Sequence, residues 1–312
     1  MNNSATTMAP DMSVTATIAR PWALWTAVAV ATITAVLHTF VQATPTIGAL
    51  MAGNAPAEAQ QGLRMMWHGM SAIAWTYPVV LLLLPRKPAP VTRPALGYIA
   101  LLNGTQALLY AAAGVWADGA SGLRSLPQWT LHAAVAGLAL LARPSRSAEE
   151  PQPPVRPRPG RRVLLWVTTI VGALNAILHT ALATFQGWPA ALLTSDTLSA
   201  PKQALYAMWL FSCVLFISVP AAVVWSLRAP AAAGRFVVRY VAVLAAALMV
   251  SWACAMAFGL GHDLTPAGPL SLGLLVALTA LSAPPRPRPN VRTSSDDSAP
   301  PTPPEPANVP QR

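Results

Sequence analysis

The sequence predicts an all-α integral membrane protein with eight transmembrane helices, arranged as two parallel-topology four-helix repeats. Three observations carry that expectation. Of 312 residues, 54% are hydrophobic and only 10% charged, against about a quarter charged in soluble domains, and the mean hydropathy is +0.47. Apolar runs recur at lengths of roughly 17–25 residues, enough for a helix rising 1.5 Å per residue to cross a hydrocarbon core of about 30 Å. Landmarks in the first half of the chain also return in the second at a nearly constant spacing.

Residues 1–20 precede the first apolar run and read as a cytoplasmic N-terminal tail. The first span is expected near 21–43 and closes on Leu37-His38-Thr39. The second, near 63–84, opens on Arg64-Met65-Met66-Trp67-His68-Gly69-Met70 and carries Pro78, where a kink is expected. The third, near 94–116, holds Asn103, Thr105 and Gln106 at its middle. The fourth, near 126–142, starts at Pro127 and carries His132, completing a first repeat over 21–142. Residues 143–162 are rich in Pro and Arg; they cannot bury a core and read as an extended cytoplasmic linker. Spans near 163–184, 203–227, 236–258 and 268–283 make a second repeat over 163–283, and the Pro-rich residues 284–312 read as a disordered cytoplasmic tail.

The two repeats align without gaps over most of their length. Trp25 and His38 match Trp166 and His179. One residue more in the following loop, Gln61, Leu63, Met66, Trp67 and Pro78 match Gln203, Leu205, Met208, Trp209 and Pro220. Arg86, Pro88, Arg93, Tyr98 and Pro127 then match Arg228, Pro230, Arg235, Tyr240 and Pro269. An even number of helices per repeat makes the copies parallel, related by an axis along the membrane normal. The first run has the length of a secretory signal, but its match to the fifth marks it as a retained helix.

Orientation follows from the basic residues. With the N-terminus inside, every Lys and Arg except Arg64, Arg124 and Lys202 falls on the cytoplasmic side. Both termini are therefore expected in the cytoplasm. The net charge of +10 sits in short clusters between apolar runs, with no aromatic-interleaved basic stripe, which argues against nucleic acid as a partner. The two cysteines, Cys213 and Cys254, lie inside apolar runs and offer no disulfide framework. No carboxylate lies well inside a span, so proton-coupled transport lacks its usual group. P-loop, HExxH and GxSxG patterns are absent. The chain therefore reads as non-enzymatic.

The histidines are the candidates for chemistry. Counting along each span places His38, His68, His132 and His179 at one depth, in the outer leaflet, with His262 in the last external loop. One reading is a site built by His38, His68 and His132 in the first repeat, holding haem b or copper, with Met65, Met66 and Met70 as soft sulfur ligands. The plain alternative is that they sit at the interface where one end of the ring is wet, within an aromatic belt of Trp67, Trp116, Trp129, Trp188 and Trp209. The second repeat has Leu210 and Leu274 in place of His68 and His132, so a metal site in both halves is excluded. Asn103 and Gln106 must face a partner helix or a wet cavity; they serve as interhelical glue or as ligand contacts.

A histidine closing a first span, here His38, followed about thirty residues later by Trp67-His68 opening a second, resembles a set of small bacterial four-helix membrane proteins without assigned activity. Their Gly-Glu after the first histidine is not present in "TFVQATPTIGAL". The resemblance implies a bacterial inner membrane and nothing about chemistry. The expectation is a multi-pass protein that transports or binds a small apolar or weakly polar ligand, or serves as an assembly partner in the bilayer, alone or as a homo-oligomer. The competing class is the haem or copper redox protein.

Overall fold

A computed structural model of the chain describes residues 18–145, 159–257 and 267–282. His262, most of the linker and the C-terminal tail lie outside the described residues. Among those described, the secondary structure is helical, with no strand. Helix α1 (Pro21–Val36) passes through a π-turn (Leu37–Val41) into α2 (Ala43–Ala52). Then follow α3 (Ala57–Leu83), α4 (Ala89–Asp118), the single turn α5 (Gly122–Ser125) and α6 (Gln128–Ala142). The second half holds α7 (Pro159–Phe185), the short α8 (Trp188–Thr194), α9 (Ser199–Ser226), α10 (Ala231–Ala257) and α11 (Ala267–Ser282).

Among the described residues six helical segments are long and apolar enough to cross a membrane: Pro21–Ala52, Ala57–Arg86, Ala89–Ser125, Pro159–Ala181, Ser199–Ser226 and Ala231–Ala257. Gln128–Ala142 and Leu270–Ser282 are apolar but shorter. Helices α3, α4, α9 and α10 begin before their apolar runs do. Hydropathy marks only the part that lipid touches, whereas backbone hydrogen bonding extends the helix into its polar flank. Pro56 and Pro88, both extended in backbone, stand immediately before α3 and α4 and fix where those helices start. Pro78 and Pro220 lie within α3 and α9, which continue past them.

The first helix contains a local change of period. The amide of Gln42 donates to the carbonyl of Leu37 at 2.8 Å, one residue further back than an α-helix allows. Pro45 follows, and its ring cannot sit over the carbonyl four residues earlier in a regular helix. The indole of Trp75 on α3 donates to Thr39 Oγ1 at 3.2 Å and ties the turn to its neighbour. In the second half α7 runs unbroken through the equivalent Leu178-His179-Thr180.

Helix α1 packs on α3 and α6, and α4 on α6; correspondingly α7 packs on α9 and α11, and α10 on α11. Between the halves α3 meets α10 and α4 meets α9, while α3 also touches α9 and α4 touches α10. Exchanging each helix with its counterpart leaves this set of inter-half pairings unchanged. At the centre Tyr98 and Tyr240 meet edge-on, ring centroids 6.1 Å apart. The Tyr240 hydroxyl lies 3.1 Å from Thr76 Oγ1, and the Tyr98 hydroxyl 2.7 Å from Ser218 Oγ. Thr76 and Ser218 each donate to a carbonyl on their own helix, of Ile73 and Leu215, so the tyrosines are the donors.

A principal core runs through both halves, from Leu24, Trp67 and Ile99 to Phe211, Leu244 and Leu272. A smaller one, around Leu165, Val223 and Val241, belongs to the second half. Large apolar side chains such as Phe40, Leu101, Leu108 and Ile177 are left exposed on the perimeter, which a bilayer solvates and water does not. The aromatic belt expected from sequence is divided. Trp116 is exposed, whereas Trp67 and Trp209 are buried in the core, because they stand on the faces of α3 and α9 that meet the rest of the bundle.

Candidate functional site

A small cavity opens inside the first half, between α1, α3, α4 and α6. Thr34 and His38 reach it from α1 and the π-turn, Met70, Ile73, Ala74 and Tyr77 from α3, Gln106 from α4 and His132 from α6. Phe211, on α9 of the second half, closes one side. The void is about the size of one water molecule.

The rings of His132 and His38 are each held by specific neighbours. His132 lies parallel to Tyr110, centroids 5.8 Å apart, and its Nδ1 is 3.0 Å from Oδ1 of Asn103. Asn103 donates through Nδ2 to the carbonyl of Ile99 at 3.0 Å. That bond fixes the amide, makes Oδ1 the acceptor and assigns the proton to His132 Nδ1. Nε2 of His132 then carries the lone pair, on the ring edge away from Asn103. His38 stacks on the indole of Trp67 at 4.1 Å with the planes 15° apart. Its Nε2 is buried without a partner, as is the hydroxyl of Tyr77. Two histidines, a tyrosine and a glutamine thus surround a void in a helical core, with unspent hydrogen-bonding capacity and no carboxylate lining it.

The structure brings together His38, His132, Gln106 and Met70 of the residues singled out from sequence, with Asn103 as the anchor of His132. It leaves the others apart. His68 is exposed, on the outside of α3, so the three-histidine set is not assembled. Helical geometry is the reason: His38 packs against Trp67, and the adjacent residue projects about 100° away around the helix. Met65 and Met66 are buried but do not line the cavity; the Met66 sulfur lies 3.7 Å from Ser212 Oγ at the join of the two halves. Tyr77, Thr34 and Phe211 were missed by sequence reasoning. The signal for Tyr77 was available, since Val219 stands 142 residues on, at the spacing that relates Pro78 to Pro220.

His179 has a different role from His38. Ser212 donates to the carbonyl of Trp209 at 2.6 Å, so His179 Nε2, 2.8 Å from Ser212 Oγ, is the donor there. With its ring stacked on Phe216 at 4.4 Å, His179 joins α7 to α9 and is satisfied by protein alone.

No protein-family model matches the chain, and neither does any curated protein or solved structure.

The two cofactors considered from sequence fit it unequally. A haem needs an open cleft between two facing imidazoles, and the space here is that of a single small molecule. Among the described residues no three His, Cys, Asp or Glu side chains converge as metal ligands. What remains is a neutral nitrogen and sulfur set, His38, His132 and Met70, which suits a soft ion better than a hard one.

Proposed function

We propose that this chain is a non-enzymatic, multi-pass protein of a bacterial inner membrane that binds or carries a small ligand in the cavity of its first four-helix unit. In this reading eight helices cross the bilayer as two parallel repeats, both termini face the cytoplasm, and the cavity lies in the outer half of the membrane. The paired contacts of α3 with α10 and α4 with α9 support the repeat. The pairing of basic residues near helix ends supports the orientation: Arg143 Nε bonds the carbonyl of Arg93, and Arg161, whose Nε bonds the carbonyl of Ser282, lies close to Arg235.

One observation carries the binding reading. Tyr77, Gln106 and His132 line the cavity, while their counterparts in the second repeat are Val219, Leu248 and Leu274. The fold thus builds the same four-helix unit with apolar side chains at all three positions. A buried polar group left unpaired costs about 1–3 kcal/mol. Buried unpaired atoms occur in both halves, Gln61 Oε1 and Gln203 Oε1 among them, but His38 and Tyr77, which bear that cost at Nε2 and Oη, line a void that an occupant can fill. The second unit then acts as scaffold and closes the cavity with Phe211.

Native mass spectrometry of the full chain released from membranes tests this. The wild type should retain an adduct of defined mass that Gln106→Leu/His132→Leu loses. A mass equal to that of the bare polypeptide for each protein would overturn the binding reading.

A further inference from the structure

The cavity's chemistry narrows the occupant further, on the premise that it is a binding site. The side chains it offers as donors are uncharged: the imidazoles of His38 and His132 and the thioether of Met70. The groups facing them from the packed elements are the side chains of Tyr77 and Gln106, also neutral. No carboxylate or thiolate is there to offset a dication, and Mg²⁺, Ca²⁺ or Zn²⁺ in such a place would leave two uncompensated charges in a low-dielectric core. A soft monocation needs only two or three nitrogen or sulfur donors and fits a void of this size. Asn103 completes the pattern. A metal-binding imidazole characteristically gives its other N–H to a fixed oxygen acceptor, which orients the ring and selects the tautomer. His132 does this toward an amide that Ile99 itself holds in place.

We propose that His38, His132 and Met70 form a Cu(I)-class soft-metal site, with Asn103 as the residue that positions His132. The three donors come from α1's π-turn, α6 and α3, so the site requires the closed four-helix unit and has no counterpart in the second half, where Leu274 and Ser212 replace His132 and Met70.

The test uses the full chain in nanodiscs, in a Cys213→Ala/Cys254→Ala background so that thiols do not compete. Cu(I) under reductant, and Ag(I) as its redox-inert counterpart, are titrated against a chromogenic chelator. One equivalent should bind, with Met70→Leu at least tenfold weaker, His132→Leu at least a hundredfold weaker and His68→Ala unchanged. Met70→Leu nearly conserves volume and keeps the fold, so it reads out the site even where the histidine variant is unstable. Copper-edge absorption should show a nitrogen and sulfur shell that loses its sulfur in Met70→Leu. Zero stoichiometric metal, or the same affinity in wild type and both cavity variants, overturns the metal site. An organic adduct in native mass spectrometry without metal overturns it too, while leaving the binding function standing.

Discussion

Asn54 and Asp196 hydrogen-bond to each other reciprocally: the Asn54 amide donates to Asp196 Oδ1 at 2.8 Å, and the Asp196 amide to Asn54 Oδ1 at 3.1 Å. They are 142 residues apart, the spacing that relates Trp67 to Trp209 and Tyr98 to Tyr240. In the proposed two-repeat architecture each is the counterpart of the other, and a residue meets its own counterpart only near the axis that exchanges the repeats. Together with the Tyr98–Tyr240 contact, this marks two points along that axis.

The loop contact is exposed, so its side chains contribute modestly. Asn54→Ala and Asp196→Ala should each lower unfolding stability by about 0.5–1 kcal/mol, and Asp196→Asn, which keeps the acceptor oxygen, by less. Chemical unfolding in detergent micelles measures this. An effect in only one alanine variant would show that the contact is not shared equally.

The buried tyrosines offer a stronger comparison. Tyr98→Phe and Tyr240→Phe each remove one donor while Ser218 and Thr76 keep their own backbone bonds. Each should cost about 0.5–1.5 kcal/mol. The two rings touch, so the double variant should depart from additivity. Strict additivity in a double-mutant cycle would argue that the two bonds form independently.

Asn103 distinguishes stability from binding. Asn103→Leu leaves Nδ1 of buried His132 without its acceptor and should destabilise by about 1–3 kcal/mol. Asn103→Ala/His132→Leu copies the second repeat, which has Ala245 and Leu274 there. It should recover much of that loss and still retain no ligand. Recovery of stability with full ligand retention would remove His132 from the site.

Gly114 and Gly122 set the approach of α4 to the turn that launches α6. A Cβ on Gly114 would stand 2.6 Å from the carbonyl oxygen of Gly122. Gly114→Ala should therefore force the backbones apart, at about 1–3 kcal/mol, and tilt the helix that carries His132. Gly137→Ala, with open space around it, serves as the control and should be near neutral. Thermal unfolding followed by intrinsic fluorescence separates the two.

Topology is accessible through fusions. A fluorescent protein that matures only in the cytoplasm should light up on the C-terminus. Alkaline phosphatase, active only outside, should work when inserted at Asn54 and fail at Lys87. Activity at Lys87 would reverse the orientation read from the basic residues.

Much of the architecture was legible because membrane helices obey few rules. Trp25, His38, Pro78 and Tyr98 recur with their spacing intact, and every apolar run beyond the first 20 residues became a helix. The helix ends were less legible, since hydropathy does not see where Pro56 or Pro88 interrupts the backbone. The site was half legible. His38, His132, Asn103 and Gln106 stood out as polar groups in apolar runs. His68 stood out for the same reason and lies outside, because composition and depth carry no information about which face of a helix a residue occupies.

The sequence by itself determined an apolar helical chain, the near-repetition of its two halves and the loss of polar residues from the second, because solvation by lipid and the spacing of landmarks are properties of order along the chain. Only the tertiary structure decided that the echoed histidines differ. A π-turn before Pro45 leaves His38 facing a void with its Nε2 unpaired, while an unbroken α7 hands His179 to Ser212. One residue's shift in helical phase turns a side chain by about 100°, and phase is fixed by packing against Trp67 and Trp75, not by the triplet Leu-His-Thr itself.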